Sequence, residues 1–142
     1  DPKNFSARHA LANLYTKEGR EQDAVRHYRI AIKFNPNDQK AHKALAYLHT
    51  QSGKLESAIK HFKEVIRINP KDPETYSKLA RVYELKGNKS KAIDIYESIV
   101  KTHPEDLKTH ERLAVAYEKN HRRMDALRLY EKISVLDPSN SS

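Results

Sequence analysis

The 142-residue sequence predicts an all-α protein built as a repeat array, with eight antiparallel helices paired into four helical hairpins. Three observations predict it. Prolines recur every 34 residues, at Pro2, Pro36, Pro70, Pro104 and Pro138, and Pro73 alone stands outside the series. The small residues Ala12, Ala46, Ala80 and Ala114 keep the same step, as do Ala24, Ala58, Ala92 and Ala126. Gly19, Gly53 and Gly87 separate the two apolar stretches of a repeat, with His121 in the fourth place.

Each slot has a physical reason. Asn4, Asp38, Asp72 and Asp106 precede the first helix of each hairpin and can accept from its free N–H groups. Pro73 follows Asp72 at a first helical position, where a missing N–H costs nothing. First helices are expected over 5–18, 39–52, 73–86 and 107–120. Within them Leu11 and Tyr15, and their counterparts, lie four residues apart on one face. The glycine then ends the helix. His121 replaces the turn glycine in the fourth copy, and Asn120 beside it tolerates a left-handed backbone. Second helices are expected over 21–34, 55–68, 89–102 and 123–136, with Ala24, Tyr28 and Ala31 on one face of the first of them. The alanines let helix axes approach closely. The recurring proline follows each second helix, which cannot continue through it.

This 34-residue pattern resembles the tetratricopeptide repeat (TPR) along the whole chain. The resemblance implies a right-handed superhelical α-solenoid, a single domain over 1–142 with repeats at 5–38, 39–72, 73–106 and 107–140. Some slots depart from the family. The bulky residue near the start of the first helix is Arg8, His42, Tyr76 and His110, and His49 replaces the tyrosine of Tyr15, Tyr83 and Tyr117. Asp1-Pro2 matches Asp137-Pro138 at the close of a repeat. The last helix carries Leu127, Tyr130, Ile133 and Leu136 with no further repeat to cover them. The chain is therefore expected to be a segment of a longer TPR protein, or to stack end to end on copies of itself.

Composition narrows the chemistry. The chain has no cysteine, so disulfides, thiolate metal sites and cysteine nucleophiles are excluded, a composition compatible with a cytoplasmic or a periplasmic setting. No apolar run reaches the ~18 residues of a membrane span. Phosphate-binding glycine loops and nucleophile-elbow motifs are absent, and no enzyme activity or cofactor is expected. No metal is expected either. His42 and His49 lie seven residues apart, about two helical turns, and are read as packing residues. Sequons at Asn4, Asn88 and Asn140 carry weight only in a secreted protein.

The net charge of +8 favours acidic partners. In TPR proteins the first helices line a concave groove that holds extended peptides. The matching positions here include His9, Asn13, Lys40, Lys43, Tyr47, Ser77, Lys78, Arg81, Lys108 and Arg112. Basic side chains dominate them, and they suit the carboxylates of an acidic protein segment. Chaperone-binding TPR domains clamp a C-terminal carboxylate with Lys and Asn, then Asn, then Lys and Arg. Lys43, Lys108 and Arg112 match three of these, while Tyr47 and Lys78 stand where Asn is expected. The function expected is therefore a protein-interaction scaffold for an acidic segment. The alternatives are a structural module that self-associates through its ends and, behind it, a nucleic-acid-binding repeat. The last lacks stacking platforms, since most tyrosines fill core slots and Tyr47 is the main groove candidate.

Overall fold

The computed structural model describes residues 4–136. Asp1-Pro2, the Asp137-Pro138 pair and the Asn140 sequon lie outside them. The described residues form α1 (Phe5–Lys17), α2 (Glu21–Phe34), α3 (Gln39–Gln51), α4 (Leu55–Ile68), α5 (Pro73–Leu85), α6 (Lys89–Thr102), α7 (Leu107–Lys119) and α8 (Arg123–Leu136), with no strand among them. The chain divides into two compact units, Asp1–Lys71 and Asp72–Ser142. In the first, α1 pairs with α2 and α3 with α4, and α2 packs on α3. In the second, α5 pairs with α6 and α7 with α8, and α6 packs on α7.

The caps start the first helices as their chemistry requires. Asn4, Asp38, Asp72 and Asp106 accept from the backbone N–H of Ala7, Ala41, Glu74 and Thr109. The hairpin turns are four copies of one hydrogen-bonded C-cap. Arg20 N–H donates to Tyr15 O at 2.8 Å and Gly19 N–H to Thr16 O at 3.2 Å. The same pair recurs at Lys54/Gly53, Asn88/Gly87 and Arg122/His121. The cap needs a left-handed residue, and Gly19, Gly53 and Gly87 have φ of 72°, 71° and 83°. In the fourth turn that residue is His121, at φ 61°, and not the neighbouring Asn120, which stays at φ −103°. The hydrogen-bond register fixes the left-handed position, and it overrides asparagine's better tolerance of it.

The cores follow the small-residue slots. Ala12, Ala24, Ala46, Ala58, Ala80, Ala92 and Ala114 are wholly buried. A larger side chain at any of them would overpack the helix contact, at about 1–3 kcal/mol. In the first unit Tyr28, Ala31, Leu45 and Leu48 complete the core, with Tyr15, Val25 and Ile32 packed against it. In the second, Tyr96 and Ile99 of α6 lie with Leu113 and Ala116 of α7 among the buried residues. Burial, with Glu84 nearby, pushes the Tyr96 hydroxyl up to about 12. Ile133, expected on an uncovered face, is instead buried.

Candidate functional site

In the first unit a cleft of about 620 Å³ opens between α1 and α3. Phe5, Ser6, His9, Ala10 and Asn13 of α1 line it with Lys40, Lys43 and Ala44 of α3. Four residues expected in the groove, His9, Asn13, Lys40 and Lys43, therefore meet. Two of them are held by the fold. The His9 Nε2 lies 2.7 Å from Asp38 Oδ2, and Asn13 Oδ1 accepts from the Tyr28 hydroxyl at 2.6 Å. Lys40 is exposed, and no carboxylate is among the lining residues. Tyr47 lies further along α3, outside this lining, with 56% of its surface exposed.

The second unit presents its first-helix residues differently. Ser77 is buried, and its hydroxyl accepts from Arg112 Nη1, so it orients that guanidinium and does not face solvent. Lys78 pairs with Glu74 at 2.8 Å, one turn away on α5. Arg81 and Lys108 are exposed. Thr75 and Thr109, both buried, donate to Asp72 and Asp106 at 2.7 and 2.6 Å and fix the starts of α5 and α7. The basic character here is diluted by Glu74, Glu84 and Glu111 on the same two helices.

Sequence models of the repeat family agree with this architecture. Models described as "Tetratricopeptide repeat" match residues 5–48 and 74–106, and one described as "TPR repeat" matches 46–87. The chain is a tetratricopeptide repeat protein. Its TPR repeats are those of a protein-interaction scaffold, in a family that is generally non-enzymatic. No curated protein sequence matches the chain. Among solved structures, a crystal structure of MamA superposes with a TM-score of 0.85 at 24% identity, over 96% of this chain and 80% of that one. MamA from Desulfovibrio magneticus RS-1 gives 0.83 at 21%, over 100% and 78%. A putative kinesin light chain of Podospora anserina with nearly identical TPR-like repeats gives 0.83 at 23%, over 100% and 79%. At these identities the likeness is one of fold.

The TPR slots also hold a cluster that in-helix spacing does not reveal. His42 and His49 of α3 both meet His61 of α4, with ring centroids 5.2 and 5.6 Å away. His42 Nε2 lies 3.0 Å from the Pro36 carbonyl, which can only accept, so this nitrogen carries a proton. His42 Nδ1 and His61 Nδ1 are 3.0 Å apart, so one proton serves both. Burial, then His42 and His49, lowers His61 to about 4. Burial and Lys54 lower His49. Among the described residues, no group of three or more His, Asp or Glu is placed to hold a metal. The one sequence signal for His61 was the repeat itself, which sets it in the same slot as His27.

Proposed function

We propose that this TPR chain holds an extended acidic stretch of a partner protein on its first-helix faces. The cleft between α1 and α3 carries the reading. It brings Lys40 and Lys43 beside His9 and Asn13, with no carboxylate in its lining. Ammonium groups on a concave surface raise the local concentration of carboxylates. Phe5, Ala10 and Ala44 add an apolar strip for the aliphatic side chains of the same segment. In the second unit Arg112, oriented by Ser77, supports a similar contact. The test is selection from a peptide library displaying free C-termini and internal segments. Acidic sequences should be enriched, with binding that weakens as salt rises. Lys40→Ala with Lys43→Ala should weaken binding about tenfold, equivalent to ~1.4 kcal/mol. Enrichment of apolar or basic peptides, or of RNA in a parallel selection, would refute the reading.

A second reading rests on a different observation. On α6, Ile93 and Tyr96 are 5% and 1% exposed. Their counterparts on α8, Leu127 and Tyr130, are 51% and 37% exposed, with Met124 beside them. Leu11 of α1 is 37% exposed, whereas Leu45 in the same slot of α3 is wholly buried. The α8 face of one copy thus offers what the α1 face of another lacks, and head-to-tail association follows. Light scattering should show mass rising with concentration, and Leu127→Lys should abolish the rise. A constant monomer mass would remove this reading.

A further inference from the structure

A second cavity, of about 520 Å³, lies among α2, α3 and α4 of the first unit. Val25, Arg29, Ile32 and Lys33 of α2, His49 of α3, and Ser57, Lys60 and His61 of α4 line it. Three cations, Arg29, Lys33 and Lys60, therefore converge on two imidazoles and two aliphatic side chains, with no acidic residue in the lining. All three cations are exposed, and Lys60 also acts on Glu64, one turn away on its own helix. The Nδ1 of His49 is buried without a hydrogen-bond partner.

The repeat supplies an internal control. The positions of Arg29, His49, Lys54 and Ser57 recur in the second unit as Glu97, Tyr117, Arg122 and Asp125. There the chain closes its own network. Tyr117 donates to Glu97 Oε1 at 2.7 Å, and Arg122 reaches the same oxygen at 3.4 Å. Arg122 Nε also donates to Asp125 at 2.8 Å, and its guanidinium lies 4.3 Å from the Tyr117 ring centroid. At the matching positions of the first unit both acids are gone, although its first repeat keeps Asp23 paired with Arg20. An arginine stands for one and a serine for the other, and no acid stands in the lining of the cavity they leave.

We propose that this cavity is a second binding site, in which an acidic side chain of a partner protein segment takes the place that Glu97 and Asp125 fill in the second unit. Arg29, Lys33 and Lys60 would bind the carboxylate, and Ser57 would donate to it. Val25 and Ile32 would receive a neighbouring aliphatic side chain, which favours a protein segment over a polyphosphate. The site uses none of the residues of the α1–α3 cleft and stands independently of it. It also predicts a pH dependence. His61 faces Arg29 from α2, His42 and His49 from α3, and Lys60 on its own helix. His49 also senses Lys54 and Arg29, opposed by Glu21. A bound carboxylate offsets these cations, so proton uptake at the imidazoles becomes easier and binding tightens as pH falls toward 5.

The test uses the full chain carrying Lys40→Ala and Lys43→Ala, which silences the first-helix cleft, and a short fluorescent peptide alternating Glu and Leu. Binding is read by anisotropy and by the ring proton resonances of His49 and His61. The expected result is saturable binding that shifts both rings. Arg29→Glu should weaken it about tenfold or more, and Glu97→Gln should leave it unchanged. Arg29→Glu copies the acid of the second unit at an exposed position, and an unaltered thermal unfolding midpoint keeps a loss of binding from being a loss of fold. Lys60→Gln, expected to weaken binding several-fold, is the second variant. Unmoved ring resonances, or an affinity indifferent to Arg29→Glu, overturn the site while leaving the first-helix cleft standing. An oligouridylate that displaces the peptide and shifts the same rings overturns the assignment to a protein segment.

Discussion

At one set of equivalent positions the two units balance their charge in opposite ways, while the first unit's Tyr15, Arg20 and Asp23 keep the second unit's ring, cation and acid contact. At Glu97, Tyr117, Arg122 and Asp125 the second unit holds a closed network of aromatic ring, cation and acid. At Arg29, His49, Lys54 and Ser57 the first unit holds cations and an imidazole. The same backbone serves both, so the fold does not require either arrangement. A TPR hairpin tolerates a cation-lined cavity because its stability comes from the alanine and aromatic slots facing the core. The second-helix face is left free to vary.

The largest effect is expected from imposing the first unit's pattern on the second. Glu97→Arg removes the acceptor of the Tyr117 hydroxyl and leaves Arg122 facing a like charge. Urea unfolding should show a loss of about 2 kcal/mol, and an unchanged midpoint would break the comparison. The converse change, Arg29→Glu with Ser57→Asp, should cost binding of the Glu-Leu peptide about tenfold, or ~1.4 kcal/mol, without costing stability.

A third test separates the units by pH. His61 is lowered to about 4 in the fold, below the imidazole's ordinary 6.5. The unfolded chain therefore takes up this proton first as pH falls. The stability linked to His61 is complete above about 6.5 and is lost progressively between there and about 4. Thermal midpoints at pH 7 and pH 5 should differ, and His61→Leu, which copies Leu129 of the fourth repeat, should narrow the difference. Tyr117, pushed up to about 12 by burial and by Glu97, adds nothing in this range. An equal pH slope in His61→Leu would show that other groups control it.

The smallest effect compares the turns. No neighbouring atom lies within 4 Å of a Cβ built on Gly53, so Gly53→Ala meets only the strain of its positive φ. It should lose about 1 kcal/mol, and His121→Gly should gain about as much. Calorimetry on the two variants reads both signs. A loss on His121→Gly would mean that its side chain stabilises the turn.

Most of the fold was legible because a 34-residue repeat states every rule four times. All eight helices begin where the cap and turn residues placed them, and each first helix stops one residue short of the expected end. The errors came from features that a single helix pattern cannot express. His121, and not the more tolerant Asn120, takes the left-handed position because the C-cap hydrogen bonds count residues and not propensities. Ser77 lies on a first helix but is buried, with its hydroxyl accepting from Arg112 of the next first helix. His61 is 19 residues from His42, on another helix, and no in-helix spacing links them. The candidate faces were legible as charge alone. Lys40, Lys43, His9 and Asn13 meet in one cleft, whereas Tyr47 stands outside its lining and Lys78 is tied to Glu74. The second-helix cavity is visible in the sequence only after the two units are aligned slot by slot, as the exchange of Glu97 and Asp125 for Arg29 and Ser57.

A crystal structure of the chain with the Glu-Leu peptide would test this account most directly. The account predicts a peptide carboxylate within hydrogen-bond distance of Arg29, with Lys33 or Lys60 beside it and an aliphatic side chain on Val25 and Ile32. A peptide seated over the Glu97–Arg122 network, with the Arg29 cavity empty, would contradict it.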